Sequence, residues 1–122
     1  IKSEFDVEVS AHDTQLIQVL LNLIINSLDA IKGLSEKWIE IEYKIENDHL
    51  NLIVRDSGLG LSADVAQKIM NPFYTTKDRD QGTGLGLSLS KTIIENHEGK
   101  LFYNSNAKHT EFIIELPYMR TL

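Results

Sequence analysis

The segment from residue 39 to residue 54 constrains the fold more than any other part of this chain. Ile39, Ile41, Tyr43 and Ile45 alternate with Glu40, Glu42 and Lys44, and period-two alternation is what a strand with one buried face requires. Asn47-Asp48 follows as a turn signal, and Leu50 to Val54 reads as a second strand. The stretch 38–54 therefore predicts a β-hairpin.

The remaining segments are read around that hairpin. Residues 5–9 alternate apolar and polar and predict a short half-buried strand. Asp13 or Thr14 can cap a helix running to about Ile31, with Gly33 as its terminator. Ser62 can cap a short helix to about Met70. Residues 71–83 hold Pro72 and then a polar, charged stretch without periodicity, a long loop of the kind that is usually functional or mobile. A helix is expected from near Gly84 to near His97, followed by Gly99. Leu101 to Tyr103 and Phe112 to Leu116 read as two final strands joined by a polar turn, Asn104 to His109. This order predicts an α+β chain: a two-layer α/β sandwich in which a mixed, mostly antiparallel sheet packs on three helices. At 122 residues there is room for one domain with one core, spanning 1–122.

Charge and composition exclude some functions. The net charge of -6 opposes nucleic acid and anionic membranes, so neither is expected as a partner. A nucleotide would need local N–H groups, a few placed cations or a metal. The absence of cysteine removes disulfides and Cys-ligated zinc. No apolar run has the length of a membrane span, and no signal peptide opens the chain. The chain starts at Ile1 rather than Met, and it is expected to be part of a larger protein.

Four segments carry chemistry. On the first helix, Asn22, Asn26 and Asp29 interrupt an apolar run at i, i+4 and i+7, which stacks them on one face. The stripe is either the solvent face of an amphipathic helix or a ligand face. Exposed stripes usually carry Lys, Glu and Arg, whereas an amide oxygen suits Mg²⁺, which keeps waters and phosphate oxygens as its other ligands. Asp56-Ser57-Gly58-Leu59-Gly60 follows a strand directly. Its glycines permit close backbone approach to a flat ligand, and its aspartate can accept from an exocyclic amine. The same residues also make an ordinary Asp-Ser-Gly turn.

Gly82-Thr83-Gly84-Leu85-Gly86-Leu87 runs into an apolar-periodic helix. Glycines at a helix start expose N–H groups and the positive dipole end, which favours phosphate; the alternative is a flexible hinge. No Lys-Ser/Thr pair follows, and the spacing is not that of the dinucleotide fingerprint. Asn71 to Lys77 precedes this loop. There Phe73 and Tyr74 can anchor by packing, and Lys77 either reaches a phosphate or stays a solvated surface lysine. His12, His49, His97 and His109 lack metal-ligand spacing and read as surface or cap residues.

Together these segments resemble the ATP-binding domain shared by histidine kinases, gyrase, Hsp90 and MutL, and are most similar to the histidine kinase branch. Gln18 to Asn26 looks like that family's N box, Asp56 to Gly60 its G1 box, Asn71 to Lys77 its F box and Gly82 to Leu87 its G2 box. The resemblance implies a Bergerat-type fold and roles by position. Asn26 would coordinate Mg²⁺ with Asn22 beside it, and Asp29 would lie on the same nucleotide-facing side. Asp56 would bind the adenine amine, with Gly58 and Gly60 letting the base approach. Phe73 and Thr76 would border the nucleotide, and residues 76–83 would form the ATP lid. Lys77 and Arg79 would offset phosphate charge, and Asn22, Asn26 and Lys77 would form the catalytic set. Thr83, Gly84, Leu85 and Gly86 would bind phosphates through backbone N–H groups, with Gly82 and Leu87 also binding the nucleotide. Thr110 would support the adenine pocket.

Three positions depart from the family pattern. Asp29 stands where many members carry Lys or His, so one phosphate-binding cation is missing there and Lys77 and Arg79 gain weight. Glu98-Gly99 replaces Gly-Gly, and Ala107-Lys108-His109-Thr110 replaces Gly-x-Gly-Thr.

The function implied is transfer of the ATP γ-phosphoryl group to a histidine. The acceptor would lie on a dimerisation domain upstream of Ile1, with a response regulator downstream, in a cytoplasmic location with any inner-membrane anchor elsewhere in the full protein. The chain alone should not autophosphorylate. A second reading is an ATP-hydrolysing switch of the gyrase or Hsp90 kind. That branch keeps a Glu base where Asn22 stands, and an amide cannot take a proton from water at neutral pH. A third is a non-catalytic nucleotide-binding or interaction module, with Asp29 and the altered last loop as its marks. A serine kinase sharing the fold, as in anti-sigma factors, is a minor variant.

Overall fold

In the computed structural model, which describes residues 7–9, 13–72 and 86–120, the hairpin forms as its pattern requires. Strands β2 (Ile39–Glu46) and β3 (His49–Asp56) pair antiparallel from Glu46↔His49 to Ile39↔Asp56. Asn47 and Asp48 both take positive φ, 51° and 61°, the two-residue turn whose twist matches the flanking strands.

The other elements are β1 (Val7–Val9), α1 (Asp13–Ala30), α2 (Ala63–Lys68), α3 (Gly86–Asn96), β4 (Lys100–Tyr103) and β5 (Glu111–Arg120). Among the described residues the sheet has five strands in the order β1-β5-β3-β2, with β4 also paired to β5. Every pairing among the described residues is antiparallel. The described residues thus form an α+β sandwich with three helices, and their sheet is antiparallel throughout rather than mixed.

Cross-strand register explains the core. Val54↔Phe112, Leu52↔Ile114 and Leu50↔Leu116 are directly opposed, so their side chains share one face. Val54, Phe112, Ile114, Leu116 and Leu101 form one buried cluster with Val19 and Leu23 of α1 and Leu87 and Ile94 of α3.

The helix ends have local causes. Ser62 caps α2, its side chain accepting from the Val65 N–H at 3.2 Å. After α3, the Gly99 N–H reaches the Ile94 carbonyl and the Glu98 N–H the Glu95 carbonyl, with Glu98 left-handed at φ 62°. That is a Schellman closure with a glutamate in the position glycine usually fills. Gly33 is not the left-handed terminator expected for α1, since Gly60 alone among the described glycines has positive φ. The helix ends instead in a tight turn in which the Leu34 N–H bonds the carbonyl of buried Ile31 at 3.0 Å. No helix among the described residues is long and apolar enough to cross a membrane.

The opposite sheet face carries an ion-pair network beside the start of β5. Arg55 Nε donates to Glu111 Oε1 at 2.7 Å, Asn104 Nδ2 donates to Glu111 Oε2 at 2.6 Å, and Arg55 also pairs with Glu40 and Glu42. Burial pushes the Glu111 carboxyl up, but the hydrogen bonds from Asn104 and Arg55 and the Arg55 charge outweigh it and hold it below its ordinary value. A carboxyl depressed in the folded state stabilises the fold above its unfolded pKa. That contribution is lost as pH falls through the folded value. Denaturant titrations should therefore show wild type more stable than Glu111→Gln at about pH 7, with the gap closing as pH falls below the ordinary carboxylate range. A gap independent of pH would show that the charge of Glu111 does not matter.

Candidate nucleotide site

The site begins where β3 ends. Asp56 is the last residue of that strand and is only 2% exposed. Its backbone N–H donates to the Thr110 carbonyl at 3.0 Å, tying it to the segment before β5. Asp56 Oδ1 accepts the Gly58 N–H at 2.7 Å. The chain then crosses back: the Thr110 N–H donates to the Gly58 carbonyl at 3.1 Å, and the Gly60 N–H donates to Thr110 Oγ1 at 3.1 Å. Gly60 sits at φ +92°, a conformation side chains rarely adopt. A Cβ on Gly58 would lie 2.6 Å from Thr110 Oγ1 and 2.8 Å from Asp56 Oδ1. Asp56, Gly58, Gly60 and Thr110, separated by up to 54 residues in sequence (110 − 56), thus form one hydrogen-bonded cluster. The loop is built around the carboxylate, and it is more than a reversal of chain direction.

The polar stripe of α1 is not the solvent face. The outward face is apolar, with Ile17, Leu21, Ile25 and Leu28 each more than half exposed. Asn22, Asn26 and Asp29 are half-buried on the flank. Asn22 Nδ2 donates to Ser90 Oγ of α3 at 3.2 Å, and Ser90 is fully buried. Asn22 therefore fastens α1 to the helix that follows the glycine-rich loop, with its Oδ1 still an acceptor. Asn26 and Asp29 also have partners in the fold. Among the described residues no group of three or more His, Cys, Asp or Glu could hold a metal. The Asn22 amide oxygen is a neutral donor of the kind that suits a Mg²⁺ otherwise held by waters and ligand phosphates.

Gly86 opens α3, and among the described residues a Cβ there would meet nothing within 4 Å. Leu87 points its side chain into the core, which leaves only its backbone for a ligand. Phe73, Thr76, Lys77, Arg79, Gly82, Thr83, Gly84 and Leu85 lie outside the described residues.

Three residues of the cluster had not been singled out for the site from sequence. The Tyr103 hydroxyl accepts the Leu61 N–H at 2.8 Å. Trp38 and Ser57 bond reciprocally, Ser57 N–H to the Trp38 carbonyl at 3.0 Å and Trp38 N–H to Ser57 Oγ at 3.2 Å. His109 is no surface or cap residue: Nδ1 lies 3.1 Å from the Gly58 carbonyl oxygen. His97 does fit the cap reading, with Nδ1 2.7 Å from the Ile93 carbonyl oxygen at the end of α3. For His109 the available signal was its place directly before Thr110, where the family pattern has glycine. Nothing local marked Trp38 or Tyr103.

Residues 11–120 match the family model described as histidine kinase-, DNA gyrase B- and HSP90-like ATPase. The chain belongs to this ATPase family. Within it, similarity runs to sensor kinases. The chain is 38% identical over 104 residues to sporulation kinase E of Bacillus subtilis, covering 84% of this chain and 14% of that kinase. It is 34% identical over 117 residues to sporulation kinase B of the same organism, covering 95% of this chain and 27% of that kinase. Among solved structures, the nucleotide-free catalytic domain of histidine kinase ThkA superposes with a TM-score of 0.77 at 36% identity, over 89% of this chain and 70% of that one. The chain is a catalytic ATP-binding domain of the sensor histidine kinase type, and it spans well under a third of the kinase sequences named here.

Proposed function

We propose that this chain, as one domain over 1–122, binds Mg·ATP and presents the γ-phosphoryl group to a histidine on a dimerisation domain outside these residues, within a two-component system that passes the phosphoryl group to a response regulator. The observation that carries the reading is the buried Asp56, held at the end of β3 with Oδ1 fixed by the Gly58 N–H. A carboxylate oxygen in that position is an acceptor, which suits an N–H donor such as the adenine amine.

The remaining roles are those the family resemblance implies. Gly58 leaves room for Thr110 Oγ1 and Asp56 Oδ1 inside the loop, and Gly60 would let the base approach. Asn26, with Asn22, would hold Mg²⁺ through amide oxygens. Bound Mg²⁺ offsets phosphate charge during transfer. The N–H groups at the start of α3 would bind phosphates, and Lys77 and Arg79 would supply cations. Catalysis by these residues is positioning and electrostatics: they align the γ-phosphorus for in-line attack by an imidazole brought by the acceptor domain. Asn22 is an amide with no basic site, so it does not activate water, which favours transfer over hydrolysis. The domain would work in the cytoplasm.

Titration calorimetry with a non-hydrolysable ATP analogue should give binding that strengthens when Mg²⁺ is added. Mg·ATP should yield phosphohistidine only when a matching acceptor domain is supplied. Absence of nucleotide binding would overturn the reading. Rapid hydrolysis without acceptor, lost in Asn22→Ala, would move the chain to the hydrolysing branch.

A further inference from the structure

We infer that His109 is a positioning residue for the base-binding loop, holding the Gly58 carbonyl from a support on the Trp38 ring so that Asp56 and Gly60 keep their places. The inference rests on the ATP-binding reading above and adds a residue to the adenine end of that site. A carbonyl oxygen has two lone pairs. At Gly58 one accepts the Thr110 N–H and the other faces His109 Nδ1, both at 3.1 Å. The oxygen can only accept, so Nδ1 carries the proton and the imidazole tautomer is set by this contact.

The ring is braced from the other side. Trp38 and His109 meet edge to face, centroids 4.9 Å apart at 80°. Trp38 is itself bonded through its backbone to Ser57 in both directions, and Ser57 is 6% exposed. Trp38, Ser57, Gly58 and His109 thus close a circuit of contacts around the first turn of the loop. Such a loop needs outside support, because glycine at 58 and 60 loses more conformational freedom on ordering than any other residue would. The loop 107–110, which has no glycine, supplies that support through a side chain. His109 is only half-buried and is not in the core cluster, so its removal bears on the loop more than on the fold.

The test is calorimetry of the chain with an ATP analogue and with ADP, in wild type, His109→Ala and His109→Asn, alongside thermal melts. Asparagine places an N–H donor near the position of Nδ1. His109→Ala should weaken both nucleotides by the same factor, about three- to tenfold, with the Mg²⁺ dependence unchanged. His109→Asn should recover most of that loss. Amide exchange at Gly60 should be faster in His109→Ala at equal global stability, a readout that holds even if melting shifts. Wild-type affinity and exchange in His109→Ala would overturn the inference, as would an Asn variant no better than Ala. Failure of wild type to bind either nucleotide overturns the ATP-binding reading and this inference with it, so the two failures are distinct.

Discussion

Asp56→Asn should abolish most adenine-nucleotide affinity while leaving the chain folded. Asparagine keeps an oxygen that can accept the Gly58 N–H, the contact Asp56 Oδ1 makes at 2.7 Å, so the loop retains its closing bond. What changes is the second atom, which becomes an NH₂ donor aimed where an amine donor must bind. A hydrogen bond to a charged group contributes about 1.5–3 kcal/mol, so the expected loss is about 10- to 150-fold in affinity. Buried polar groups that stay paired cost little, and the melting midpoint should fall by no more than a few degrees. Calorimetry and a thermal melt on the same preparation separate the two effects. Undiminished binding would remove Asp56 from the site. Binding lost only in step with unfolding would make it a structural residue.

Gly58→Ala should have the largest effect on the loop itself. The new Cβ would stand 2.6 Å from Thr110 Oγ1 and 2.8 Å from Asp56 Oδ1, closer than real Cβ atoms approach. One of the two side chains must move, and either move breaks a bond that shapes the loop: Gly60 N–H to Thr110 Oγ1 or Gly58 N–H to Asp56 Oδ1. Overpacking of this kind costs about 1–3 kcal/mol, and nucleotide affinity should fall with it. A double-mutant cycle identifies the cause. Thr110→Ala removes the nearer obstacle, so the pair should be less destabilised than the sum of the singles by at least about 0.5 kcal/mol. Additive effects would show that crowding against Thr110 is not the reason position 58 needs glycine.

Much of the molecule is set by patterns spanning fewer than about twenty residues. The hairpin 39–56, the Ser62 cap on α2 and the turn at Asn47-Asp48 all follow from side-chain alternation or from a residue's own backbone preference. Those forces act between sequence neighbours, so the sequence displays them. The terminators of helices were less legible than their spans. Gly33 did not end α1, and Glu98 accepted a left-handed conformation at the end of α3 because two hydrogen bonds close there.

The family motifs are also legible from sequence, because the residues that would meet one part of a nucleotide sit together in single segments: Asn22 with Asn26, and Asp56 with Gly58 and Gly60. Only the tertiary structure decided which way these groups face and what holds them. It turned the asparagine stripe of α1 toward α3 rather than to solvent, through the Asn22–Ser90 bond across 68 residues. It also moved His109 from an ordinary surface position to the carbonyl of Gly58, 51 residues away. Such contacts join segments distant in the chain, and their geometry comes from the register of β3 on β5 and the packing of two helices on one sheet face. No window of sequence contains both partners. The family motifs are therefore local in the sequence, while the contacts that support the Asp56 loop were created by the fold.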